Sequence, residues 1–221
     1  MSNPKQAPDY PDYSRPERIA DGVLHIIGVF GAIGGAILMF RFEFGSGSPG
    51  QAVGLAVYCA ALIATFSASA FYHMTPWEAL RPVLRRIDHA AIYLKIAGTY
   101  TPIVILIGSL TSFTVLAVVW LLAAFGMVQK IFFWHTPGRF GPALYLIMGW
   151  LSLTLIWSVW PILPLEALAL MAGGGLLYTV GVVFFNWENL RFSMAIWHGF
   201  VLTASACFYG AIAIGLSQSL G

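Results

Sequence analysis

From residue 19 onward the chain alternates between long apolar runs and short polar punctuation. A helix needs about 20 mostly apolar residues to cross the hydrocarbon of a bilayer. Seven stretches meet that requirement, near 19–41, 51–74, 87–107, 112–133, 140–159, 164–185 and 194–217. The runs are continuous rather than alternating, which argues for helices and against a barrel of strands. The breaks between them are turn-forming: Gly45 to Gly50, Thr75-Pro76-Trp77 through Arg86, Ser109 to Ser112, His135 to Arg139, Pro161 to Pro164, and Asn186 to Ser193. The pattern predicts an all-α integral membrane protein, a bundle of seven transmembrane helices. Residues 1–16 carry four prolines and two Asp-Tyr pairs, and read as a flexible polar tail ahead of a membrane domain over 17–221. They lack the basic start and short apolar core of a signal peptide, so the chain is expected to keep this N-terminus.

Composition agrees with the pattern, since 59% of the 221 residues are apolar, 9% are charged and the mean hydropathy is +0.80. A net charge of +2 gives no reason to expect a nucleic-acid partner; membrane lipids are the expected surroundings. Cys59 and Cys207 lie inside apolar runs and read as small buried hydrophobes. Charge also sets orientation, because short cytoplasmic loops are rich in Lys and Arg. With the N-terminus inside, Lys5, Arg15, Arg18, Arg81, Arg85, Arg86, Lys130, Arg139 and Arg191 gather on the cytoplasmic side, and only Arg41 lies outside. The expected topology is therefore N-terminus cytoplasmic and C-terminus outside, in the cell membrane.

This topology brings three polar residues to one depth. His73 ends a span travelling inward, while Asp88 and His198 begin spans travelling outward. An ionisable group inside a membrane span is a functional candidate that needs a partner. Depth alone leaves two readings open: a shared site, or separate interfacial residues, with Asp88 serving as a helix N-terminal charge beside Arg85 and Arg86.

Several blocks then resemble one family. Ser69-Ala70-Phe71-Tyr72-His73, Arg86-Ile87-Asp88-His89-Ala90-Ala91-Ile92-Tyr93, Ile96-Ala97-Gly98-Thr99-Tyr100-Thr101-Pro102, Ala143 to Trp150, Gly173 to Gly181 and Ala195-Ile196-Trp197-His198 occur in order over nearly the whole chain after the tail. They resemble the bacterial hemolysin III proteins, within the wider progestin and adipoQ receptor family. The resemblance implies seven spans, the bacterial inner membrane, and a zinc site near the cytoplasmic face. That site is built in the family from Ser-x-x-x-His, an Asp, and His-x-x-x-His. By position, Ser69 and His73 match the first element, Asp88 the second and His198 the last histidine. The resemblance thus implies His73, His198 and Asp88 as metal residues, with Asp88 and Ser69 in catalytic roles, the carboxylate as general base and the hydroxyl holding a bridging water.

The chain departs from that pattern at two places. The first histidine of the seventh-span pair is Met194, and a further family histidine ten residues after His198 is Phe208. A thioether prefers soft copper(I) to zinc. The site is then weakened or lost, completed by His25, His89 or another residue, or adapted to another ion. The ligand count argues for a weakened or altered site.

Other polar residues have simpler expectations. Asp21 and His25, one turn apart, read first as an interfacial pair and second as a proton-linked one. Lys95 is expected to neutralise Asp21 or Asp88. Trp77, Trp134, Trp160, Trp187 and Trp197 read as interfacial anchors, and His135 as solvated. Gly31 with Gly35, and Gly173 to Gly175, predict close helix contacts, while Gly98 and Pro102 predict a kink in the third span. The resemblance implies two alternative functions. One is a non-catalytic sensor, pore or membrane-homeostasis protein. The other is a zinc-dependent, ceramidase-like hydrolase of lipid amides or esters.

Overall fold

The computed structural model describes residues 13–43, 48–133, 140–187 and 189–219. Most of the expected tail, Trp134, and His135 with its loop lie outside the described residues. Among the described residues eight α-helices form: α1 (Arg15–Glu43), α2 (Pro49–Met74), α3 (Arg81–Ile107), α4 (Leu110–Phe132), α5 (Phe140–Trp150), α6 (Ile156–Val159), α7 (Leu165–Phe185) and α8 (Ser193–Ser219). Six segments are long and apolar enough to cross a membrane, and Ala143–Val159 is a shorter apolar one.

Each boundary has a local cause. Helix α1 begins inside the expected tail because Ser14 and Glu17 form a cap: Ser14 N and Oγ both donate to Glu17 Oε2, at 3.0 and 2.6 Å. Ser48 caps α2 in the same manner, accepting from Gln51 N while Gln51 Oε1 accepts from Ser48 N. Gly108 ends α3 at φ 67, a conformation glycine adopts without the usual steric cost. Ser109 then starts α4 through a reciprocal cap with Ser112, so the Ser109 to Ser112 turn separates two helices as expected.

The expected fifth span is broken. Helix α5 gives way to a 3-10 turn over Leu151–Leu155 before α6 resumes. The tighter turn leaves carbonyls short of partners, a costly state away from water. The Tyr100 hydroxyl, from α3, lies 2.7 Å from the Met148 carbonyl and 3.1 Å from that of Gly149, and donates to them.

Helix α1 packs on α2 and α8, α3 on α2, α4 and α8, and α7 on α8, while α5 touches α3, α4 and α7. Helix α3 lies innermost, with Tyr93, Ala97 and Val104 buried. Close approach is localised at particular glycines. A Cβ on Gly98 would stand 2.5 Å from Ala61 Cβ, and one on Gly28 would stand 2.6 Å from the Phe66 ring. Gly35 meets Tyr209 and Gly174 meets Phe208, whereas Gly31, Gly173 and Gly175 face open space. The small-residue contact of α1 therefore follows Gly28 and Gly35 rather than Gly31 and Gly35. Helix α3 is assigned as one helix through Gly98 and Pro102, and Gly98 is where α2 comes closest. Trp77, Trp160 and Trp187 are exposed, in line with an interfacial place. Trp197 instead is buried, 5.2 Å from Phe185 and against Gly181, so it is a packing residue.

Candidate metal centre

Four residues from three helices converge at one end of the bundle. Asp21 and His25 come from the second and third turns of α1, His73 from the last turn of α2, and His198 from the first turns of α8. All four are buried. Asp21 is the hub: Oδ1 lies 2.6 Å from His198 Nδ1, and Oδ2 lies 3.3 Å from both His25 Nε2 and His73 Nδ1. The three imidazole centroids are 4.4 to 4.9 Å apart.

The backbone brings these groups together through two further ties. Glu17, one turn before Asp21, accepts from Phe192 N at 2.9 Å as well as from Ser14. Phe192 has φ 62, unusual for a residue with a side chain, and the Glu17 bond holds it there at the entrance to α8. At the end of α2, buried Arg81 donates to the Thr75 carbonyl at 2.9 Å and the Tyr72 carbonyl at 3.4 Å. A guanidinium there satisfies carbonyls that a helix C-terminus leaves unpaired, and fixes the turn that carries His73.

One donor atom from each of the four residues fits within 4.8 Å of the others, so the cluster can hold a metal ion. Two observations test the fit. First, the 3.3 Å separations from Asp21 to His25 and His73 match the edge of a tetrahedron with bonds of about 2.0–2.1 Å. Second, His25 Nε2 is buried and has no hydrogen bond. A buried imidazole nitrogen without a hydrogen bond, aimed at a carboxylate and two other imidazoles, is what a cation would satisfy. The donors are imidazole nitrogen and carboxylate oxygen, suited to borderline divalent ions rather than to soft copper(I).

The expected residues divide. His73 and His198 meet. His25, one of the candidates for completing the site, joins them with Asp21, so the Asp21–His25 pair is a buried element of the cluster rather than an interfacial one. Asp88 is buried, but it stands beside His89, with Nδ1 3.6 Å from Oδ2, and it is not one of the four clustered donors. His89 itself donates from Nδ1 to the Arg85 carbonyl at 2.8 Å, which turns it away from a ligand role. Ser69, Asp88, Met194 and the imidazoles of His25, His73 and His198 line one cavity of about 1690 Å³. Lys95 also reaches this cavity, and among the described residues it forms no ion pair with Asp21, Asp88 or any other carboxylate. Its ammonium lies 3.4 Å from Ser205 Oγ and over the Tyr178 and Phe66 rings.

Asp21 gave little signal in sequence because its meaning depends on α8 returning beside α1. A carboxylate four residues before a histidine, at the start of an apolar run, was the only sign available.

An all-helical bundle with long apolar helices and a buried His/Asp cluster defines an integral membrane protein with a candidate metal centre. Residues 14–209 match the model of the Haemolysin-III related family. Hemolysin-3 homolog of Bacillus subtilis (strain 168) is 36% identical over 195 residues, covering 87% of this chain and 91% of that protein. Hemolysin-3 of Bacillus cereus is 36% identical over 194 residues, covering 87% and 89%. Monocyte to macrophage differentiation factor of Homo sapiens is 32% identical over 207 residues, covering 89% and 83%. The chain belongs to the haemolysin-III-related family.

Proposed function

We propose that this protein is a zinc-dependent membrane sensor or homeostasis factor, whose ion is held by Asp21, His25, His73 and His198 and couples helices α1, α2 and α8. The observation that carries the reading is the Asp21 carboxylate set among three buried imidazoles. Four protein donors make a closed site, the arrangement typical of zinc that holds structure, whereas catalytic zinc keeps a position open. Helices tied in this way respond to ion occupancy as a unit. Met194 then does not leave the site short of donors, because Asp21 and His25 supply what the seventh-span pair lacks.

The finer topology belongs to the same proposal. Ala143–Val159 serves as a short fifth of seven spans, about 25 Å at helical rise. The bias of Lys and Arg supports a cluster at the cytoplasmic end, with the N-terminus inside and the C-terminus outside.

A second reading, a ceramidase-like zinc hydrolase of lipid amides or esters, draws support from Ser69 and Asp88 lining the cavity that the imidazoles also face. In it zinc would supply Lewis-acid polarisation of a carbonyl. Asp88 would take a proton at its carboxylate and Ser69 would hold a water within the cavity. Metal analysis of purified protein separates these from a site without metal, with about one zinc per chain expected, lost in His73→Ala. Hydrolysis of a ceramide or lipid ester that vanishes in Asp88→Asn while zinc remains would establish the hydrolase and overturn the sensor.

A further inference from the structure

Lys95 sits near the middle of α3, seven residues and therefore about 10 Å along the axis from Asp88. It is 5% exposed. Its ammonium carries three donors, and one is engaged by Ser205 Oγ at a long 3.4 Å. Ser205 donates its own proton to the Val201 carbonyl at 2.7 Å, so Tyr178, 2.8 Å away, donates to Ser205. That arrangement leaves Ser205 accepting from two sides. The faces of Tyr178 and Phe66, with centroids 4.8 and 5.5 Å from Nζ, offer partial compensation for the charge. Among the described residues no carboxylate completes an ion pair with it. Asp21 is committed to three imidazoles and Asp88 stands beside His89.

A buried cation in a bilayer normally has an anionic partner, since the cost of desolvation falls only when opposite charge is close. Lys95 lines the large cavity, whose apolar lining includes Ile92, Ile96, Leu168, Met171 and Phe208. The volume, about 1690 Å³, exceeds the roughly 300–1,000 Å³ of ordinary small-molecule pockets. The occupant that satisfies both features has an acid group at one end and an apolar chain at the other. We propose that Lys95 is an anion subsite, distinct from the His/Asp cluster, that receives the acid group of an amphiphile whose chain lies along the apolar wall. This proposal does not depend on zinc.

The test uses the purified full chain in an uncharged maltoside detergent, with binding of labelled hexadecanoate and hexadecanol measured by equilibrium dialysis. The expected result is that wild type binds the acid about ten-fold more tightly than the alcohol, as a hydrogen bond to a charged group supports. Lys95→Met is expected to abolish the preference and Lys95→Arg to retain most of it. Equal binding of acid and alcohol by wild type, or an undiminished preference in Lys95→Met, overturns the proposal. The wild-type comparison stands even where a variant does not fold. Phosphatidylglycerol in nanodiscs that displaces hexadecanoate from wild type assigns the anion to a bilayer headgroup; hexadecanoate binding that survives excess phosphatidylglycerol assigns it to a free long-chain acid. Metal content measured on the same samples should be unchanged by Lys95→Met, which keeps failure of the zinc reading separate.

Discussion

His198 Nδ1 stands 2.6 Å from Asp21 Oδ1, joining α8 to α1 across 177 residues of chain. Because a carboxylate only accepts, Nδ1 carries the proton and Nε2 keeps its lone pair. Asp21 thereby sets the tautomer of His198 as well as offering its own oxygens. Asp21→Asn preserves the shape and removes the charge. Zinc affinity, measured by competition with a chromophoric chelator, is expected to fall about 10- to 100-fold.

His25 and His89 should behave differently although both are buried or nearly so. His25 Nε2 has no hydrogen bond and points into the cluster, while His89 is bonded to the Arg85 carbonyl. His25→Ala should leave the purified protein with substoichiometric zinc, and His89→Ala should leave zinc content unchanged. Met194→His should also leave stoichiometry unchanged, because four donors are already in place; a large gain of zinc in that variant would mean the native set is incomplete.

Bound metal should be released on acidification. The imidazoles and the carboxylate must be deprotonated to bind, so protons compete for the same lone pairs. Zinc retained through gel filtration at neutral pH should be lost on acidification, and metal content measured after gel filtration across a pH series checks it.

Gly98 and Gly31 give a paired test of helix contact. A methyl on Gly98 would meet Ala61 at 2.5 Å, against an opposing side chain with no rotamer to yield, while one on Gly31 meets nothing. Gly98→Ala should lower stability by about 1–3 kcal/mol, read as reduced thermal stability in detergent. Gly31→Ala should be neutral or slightly stabilising, since alanine favours the helix.

Tyr100→Phe removes the donor from α3 to the Met148 and Gly149 carbonyls, of which Gly149 also accepts from Ser152 Oγ at 2.8 Å. Faster hydrogen exchange in 149–156 is expected, with a stability loss of about 1 kcal/mol.

The helices were legible because each apolar run satisfies its own backbone within lipid, and the serine caps announce where runs begin. The interruption at 151–155 was not legible because it is stabilised from outside its own run, by a tyrosine 48 residues earlier. The site was legible in part for a similar reason. Chain direction put His73 and His198 at one depth, but not the rotation of α1 that turns Asp21 and His25 toward them. Asp88 lines the same cavity, yet the imidazole it pairs with is that of its sequence neighbour His89. Lys95 was assigned an acidic partner by the general cost of buried charge, whereas its surroundings are two rings and a serine.

The cluster draws on α1, α2 and α8, which places its donors at both ends of the bundle's synthesis. Asp21, His25 and His73 emerge early, and none of them can acquire His198 until the last helix has been delivered to the membrane. On the zinc reading, ion capture by the full set would follow the delivery of α8, and would close a ring of contacts around helices already inserted.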